Sequence, residues 1–158
     1  MTSILLDTSF LIALADPTRA NHAVAKQYLR ESLGKGVPLY LSAIAVSEFQ
    51  VKQAVTDLPL RNFIVLPFNI DHAMQVGLLM RDLIRDASDD RVAVKDDVKL
   101  IAQAVCESIT HILTEDRNTL AKYMERLRTQ GSIMVRPILL GDGFDAAWLN
   151  NGQTEIPQ

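Results

Sequence analysis

Hydrophobic positions along the chain fall into two patterns: short continuous runs, and longer stretches where they recur every three or four residues. The first pattern reads as strands buried on both faces and the second as amphipathic helices. Ile4, Leu5 and Leu6 follow Ser3 as a first strand that stops abruptly at Asp7. Phe10, Leu11, Ile12 and Leu14 continue at helical spacing until Asp16-Pro17, which ends a helix. Residues 20–33 form a second helix, with Ala23, Val24, Tyr28 and Leu29 on one side and Gly34 and Gly36 closing it. Residues 38–41 are a second strand, and Ser42 is an N-cap for a helix over 43–56. A third strand spans 63–67, and a helix from Asp71 to about 86 carries Met74, Leu78, Leu79 and Leu83. Residues 87–93 read as a loop, and Asp96 and Asp97 open a helix reaching about residue 108. A fourth strand over 111–114, a helix over 117–128 and a fifth strand at Ile133, Met134 and Val135 complete the series. Strands alternating with helices predict a three-layer α/β/α domain around a mainly parallel sheet of about five strands. The stretch from 141 reads as a tail tethered by Trp148, so the expected division is a domain over 1–140 and a tail over 141–158.

Composition narrows this picture. The 158 residues are 48% hydrophobic and 22% charged, which suits one domain. One cysteine, Cys106, excludes an internal disulfide framework and a multi-cysteine zinc site. No apolar run reaches the roughly 18–20 residues of a membrane helix. The Met-Thr-Ser start lacks the basic residues of a signal peptide, so no membrane and a cytoplasmic location are expected. A net charge of −3 argues against holding nucleic acid by bulk positive charge. The chemistry therefore turns on where the 19 carboxylates fall.

Four of them fall at telling places. In an open parallel sheet, ligands sit beyond the carboxyl ends of the strands. Asp7 follows the first strand and Asp116 lies two residues past the fourth. Glu48 shares a helical stripe with Ile44, Val51 and Val55, with Val46 and Phe49 beside it, so it is expected to point into protein. A carboxylate there needs a partner or a cation. Of Asp96 and Asp97, one is expected to cap its helix and the other is free to point elsewhere. Carboxylates gathered together repel and take up protons unless a cation joins them. Mg²⁺ or Mn²⁺, with its preference for hard oxygen ligands, suits such a set, and no HxxxH, HExxH or Cys-rich pattern favours zinc. His22, His72 and His111 are scattered and read as surface or internally satisfied residues.

These segments resemble PIN-domain nucleases. Residues 4–12, Ile-Leu-Leu-Asp-Thr-Ser-Phe-Leu-Ile, resemble the family's opening strand, Asp-Thr-Asn/Ser and apolar helix. Residues 42–49 resemble its second motif, a Ser at a helix start with Glu48 six residues on. Residues 97–104 resemble the third, an Asp leading an Ala-rich apolar helix, and residues 112–118 resemble the fourth, a strand ending in Thr-x-Asp. All occur in family order, over about residues 3–136. The resemblance implies a metal-dependent ribonuclease, most similar to VapC-type toxins of toxin–antitoxin pairs. It implies Asp7, Glu48, Asp97 and Asp116 as catalytic, metal-holding residues, with Ser9, Thr114, Asn118 and Asp96 in support. Ser9 stands where many members have Asn, and Asn118 where many have Asp. The resemblance further implies a homodimer neutralised by a small antitoxin that places a basic side chain in the acidic site. The apolar positions of the 43–56 and 71–86 helices suit either a dimer face or the core.

The expected reaction is hydrolysis of an RNA phosphodiester by water, activated by one or two cations, with Asp97 or Asp116 available as general base. Arg91, Lys95, Lys99 and Arg117, close to the motifs, are the candidate phosphate contacts. Setting four carboxylates aside leaves 16 basic against 15 acidic residues, so RNA affinity must come from local placement. Two other readings compete: a PIN-like binding module without activity, and a PIN nuclease outside a toxin–antitoxin system. A haloacid-dehalogenase-like phosphatase needs an acid where Ser9 stands, and a receiver domain needs an Asp after the third strand, where Pro67-Phe68 stand.

Overall fold

A computed structural model describes residues 1–150 of the chain. Five parallel strands form one sheet: β1 (Ile4–Leu6), β2 (Leu39–Ser42), β3 (Ile64–Leu66), β4 (His111–Thr114) and β5 (Arg136–Leu139), in the order β3-β2-β1-β4-β5. β1 is central, with Ile4 beside Leu39 on one side and His111 on the other. Its side chains alternate between the faces, as the pleat requires. Ile4 and Leu6 enter one hydrophobic core and Leu5 the other. The first core takes in α1 (Thr8–Ala15), α2 (His22–Gly34) and Ala45 and Phe49 of α3 (Ala43–Lys52). The second packs α4 (Ile70–Asp82), α5 (Arg91–Cys106) and α6 (Leu120–Thr129) on the opposite face. The fold is therefore the expected α/β fold with a five-stranded, all-parallel sheet.

The strand order reverses direction at β1, so the crevice between the carboxyl ends of β1 and β4 is a topological switch point. Asp7 leaves β1 at this point, and its backbone N–H donates to Leu113 O at 3.1 Å, joining the two strand ends.

Several boundaries differ from expectation. α5 starts at Arg91, because Asp90 caps it: its Oδ1 accepts from Ala93 N at 2.8 Å. Neither Asp96 nor Asp97 is the cap, and both lie in the second turn. α3 and α4 stop at Lys52 and Asp82, short of 56 and 86, and the chain between α4 and α5 is held down by α6. Asp86 pairs with Arg126 at 2.8 Å and Lys122 at 3.0 Å, and Lys122 reaches Asp89 at 2.6 Å. Tyr123 donates its hydroxyl proton to Asp89 and accepts from Asp86 N.

The fifth strand is Arg136–Leu139 and not residues 133–135. Ile133 and Val135 are buried against the second core, but Met134 between them is 91% exposed. The sheet ladder begins only where Arg136 N donates to Thr110 O. Alternation then turns the next residue's nitrogen away from β4, to the open edge, where Pro137 lacks nothing by having no N–H.

The expected tail begins inside a packed stretch. Leu140 and Leu149 belong to the first core, and Phe144 packs edge-on against Tyr28 at 4.9 Å between ring centroids. Trp148 meets the His111 ring at 5.2 Å, and its carbonyl accepts from Thr2 Oγ1. Residues 151–158 of the tail lie outside the described residues. Among the described residues no helix is long and apolar enough to cross a membrane.

Leu149 is 2% exposed. Leu149→Ala is expected to cost about 2–5 kcal/mol in urea unfolding. A loss under about 0.5 kcal/mol, the range of surface changes, would mean that residues 140–149 are a loose appendage.

Candidate active site

Asp7 is the best-anchored group at the switch point. Its Oδ2 accepts from Ser9 Oγ at 2.6 Å and from Thr114 Oγ1 at 2.7 Å. Each hydroxyl has one proton and gives it to the same oxygen. The 3.1 Å contact between the two hydroxyls is thus imposed by their shared acceptor. Their lone pairs are occupied too: Ser9 Oγ accepts from Glu115 N at 2.8 Å and Thr114 Oγ1 from Asp116 N at 2.9 Å. Two segments distant in sequence, residues 7–9 and 114–116, are thereby locked together. Burial pushes the Asp7 carboxyl above its ordinary range against the pull of both hydroxyls, and the Asp116 charge adds to the rise.

Asp116 caps its own turn. Oδ1 accepts from Asn118 N at 3.0 Å and Thr119 N at 2.9 Å, and Oδ2 accepts from Thr119 Oγ1 and Leu120 N. Both oxygens therefore have local donors, so the group brings charge to the cleft with less free acceptor capacity than Asp7 or Asp97.

Asp97 is the least satisfied. Its Oδ2 is buried with no hydrogen-bond partner. Burial, followed by the charges of Asp7 and Asp116, pushes its carboxyl up to about 8. Glu48 is raised by partial burial and by the charges of Asp7 and Asp96. Its helical stripe runs only partly into the core: Ile44 and Val55 pack against the two cores, but Val51 is 85% exposed. Glu48 lies instead on the wall of a cleft.

That cleft has a volume of about 300 Å³ and gathers Asp7, Glu48, Asp96, Asp97 and Asp116 with Ser9 and Thr119. Asp96 accepts from Lys99 Nζ at 2.9 Å. Thr114 is fully buried behind the cleft and acts through Asp7. Asn118, Arg91 and Lys95 are exposed and do not line it, and Arg117 turns to Asp142. Sequence reading missed Thr119 and Lys52, both in the cleft wall. The spacing of Lys52, four residues after Glu48 on one helix, is a signal for it.

Among the described residues no three His, Cys, Asp or Glu groups form a ready-made metal cage. The donor set is instead an open ring of hard oxygens with one orphaned buried carboxylate oxygen. Such a ring fits a hydrated ion of the Mg²⁺ type, which keeps several waters and takes one or two carboxylates directly. The three histidines are engaged elsewhere: His22 with Ala13 O, His72 with Asn69 and Glu107, and His111 with Thr110.

No protein-family model and no curated protein matches the chain in sequence. Solved structures do share its fold. FitAcB from Neisseria gonorrhoeae matches with a TM-score of 0.60 at 19% identity, over 87% of this chain and 98% of that one. Mycobacterium tuberculosis VapC20, a sarcin-ricin-loop-cleaving toxin, matches with a TM-score of 0.58 at 22% identity, over 85% of this chain and all of that one. DNA-bound VapBC from Salmonella typhimurium matches with a TM-score of 0.55 at 14% identity, over 89% and 99% of the two chains. The chain thus has the α/β fold of VapC-type PIN-domain structures.

The raised Asp97 carboxyl has a consequence for stability. Folded, metal-free protein holds a proton on Asp97 up to about pH 8, whereas the unfolded chain releases it near the ordinary 3.8. The folded state binds more protons across that interval, so stability falls as pH rises from about 4 to about 8. Thermal unfolding in chelator should show this fall. Asp97→Asn should flatten much of it, and an unchanged slope in that variant would contradict the assignment.

Proposed function

We propose that the chain is a divalent-metal-dependent ribonuclease that hydrolyses RNA phosphodiester bonds, and that it is the toxin of a VapBC-type pair. The observation that carries this reading is the convergence of Asp7, Glu48, Asp97 and Asp116 on one cleft at the sheet's switch point, with Asp97 Oδ2 unpartnered. These four carboxylates are the proposed holders of Mg²⁺ or Mn²⁺. A divalent cation bound there supplies a Lewis acid and neutralises negative charge.

The protein's own groups do the rest. Ser9 and Thr114 fix the Asp7 carboxylate in one orientation, so it need not reorganise during reaction. Asp97, whose Oδ2 has no partner in the protein, has the oxygen most free to orient a water and accept its proton. Asp116 is an inferior base, because its oxygens already accept from the turn it caps. Attack on phosphorus is by water, in line with the leaving oxygen, and no side chain becomes covalently attached. Of the basic residues close to the motifs, Arg91 and Lys95 are exposed and free to meet phosphates, whereas Lys99 and Arg117 are held by Asp96 and Asp142.

The antitoxin partner rests on the likeness to VapBC structures. A homodimer is supported by exposed apolar residues on α4, Ile70, Met74 and Leu78, and on edge strand β3, Ile64 and Val65. A cytoplasmic location is part of this proposal. The competing reading, a PIN-like module without catalysis, is favoured by the engaged oxygens of Asp116 and by the lack of a closed cage among the described residues.

Cleavage of total RNA with Mg²⁺ or Mn²⁺ decides between them. Wild type should cleave, chelator should stop it, and Asp7→Asn should lower the rate by at least about 100-fold. Full activity in Asp7→Asn would overturn the assignment of the reaction to these carboxylates, and no cleavage by metal-replete wild type together with no ion binding by calorimetry would favour the non-catalytic module.

A further inference from the structure

The cleft wall contains one basic side chain, Lys52, among its eleven described lining residues. Its position is unusual in its charge relations. Lys52 is the last residue of α3 and stands four residues after Glu48, the arrangement in which a glutamate and a lysine most readily pair along a helix. No such ion pair forms, and Lys52 makes none with any other described carboxylate. Lys99 is held by Asp96, and Lys95 is free but does not line the cleft. An ammonium thus remains uncommitted on a rim formed by five carboxylates.

We propose that Lys52 forms a phosphate subsite on the α3 wall, taking a backbone phosphate of single-stranded RNA next to the one being cleaved. This rests on the ribonuclease reading and adds to it how an acidic cleft holds a polyanion. The carboxylates repel the strand everywhere except where a cation neutralises them. Lys52 supplies fixed positive charge one helical turn from Glu48, about 5–6 Å between Cβ atoms, so a strand engaged at the carboxylates passes beside it. The ammonium is a point charge with no preference among bases, so the subsite positions the strand without reading its sequence. Lys52 is therefore a positioning residue that touches substrate away from the reacting phosphorus.

The test has two arms. In the first, steady-state cleavage is compared for wild type, Lys52→Gln and Lys52→Arg. Lys52→Gln should raise KM about tenfold, equivalent to ~1.4 kcal/mol, with kcat little changed, and Lys52→Arg should restore most of the loss. In the second, a short fluorescein-labelled single-stranded RNA is bound to Asp97→Asn protein across a salt series. Adding Lys52→Gln should reduce the slope of log K against log salt by about 0.7, the loss of one phosphate contact. Unchanged melting temperature and divalent-ion calorimetry in Lys52→Gln exclude a structural origin. Active wild type with KM and salt slope unmoved by Lys52→Gln would overturn the subsite and leave the ribonuclease reading standing. Wild type that neither cleaves nor binds RNA would overturn both.

Discussion

Mutual repulsion among buried carboxylates is the constraint around which this molecule is arranged. Asp7, Glu48, Asp97 and Asp116 bring like charge into one small cleft, and burial raises the cost of charge on Asp7, Glu48 and Asp97 further. A fold that only had to be stable would disperse such groups. Here the surrounding structure over-determines their positions. Two hydroxyls hold one oxygen of Asp7, a turn of backbone amides holds Asp116, and Asp97 is left with an orphaned oxygen. The strain of this arrangement is relieved by a proton or by a cation, which makes occupancy of the cleft and stability of the fold two aspects of one balance.

The location of that cleft follows from topology. Only at β1 do the connections turn in opposite directions, and only there does a crevice open between neighbouring strand ends. The Ser9–Asp7–Thr114 contacts lie across it and tie α1 to β4. The fourth carboxylate-bearing wall comes from α5, whose first turn reaches the cleft at Ala93. Asp90 caps it, and the segment before it is clamped to α6 by Asp86, Asp89, Lys122, Tyr123 and Arg126. Lys122 and Arg126 also lie over the Tyr123 ring, so the clamp combines charge with ring contact. Through it, the surface of one layer fixes the depth at which Asp97 enters the site.

The sheet's two edges are finished differently. β5 carries Pro137 and a buried lead-in, which leaves little to pair with. β3 leaves Ile64 and Val65 exposed. One edge is closed by backbone chemistry and the other is open to apolar contact.

The alternation of apolar runs with helical periodicity was enough to determine an α/β domain, because strands buried on both faces and helices buried on one leave different patterns. Asp7 and Asp116 were legible as site candidates, since strand ends can be found from the same pattern. Other features depended on contacts between residues far apart. Asp90 and Asp96-Asp97 are equally good caps for α5 by sequence, and the structure has the cap at Asp90. Residues 133–135 look like a strand and 136–139 do not, yet the ladder forms at the second, because an edge position makes a proline harmless. Glu48 shares its apolar stripe with Ile44 and Val55, which pack on the cores, and with Val51, which is exposed, since periodicity identifies a face but not what lies opposite it. Local sequence thus determined the elements and their order. Only tertiary structure decided which charges share a cleft, because electrostatic coupling depends on distance in space and on burial, and neither is a property of the sequence read one segment at a time.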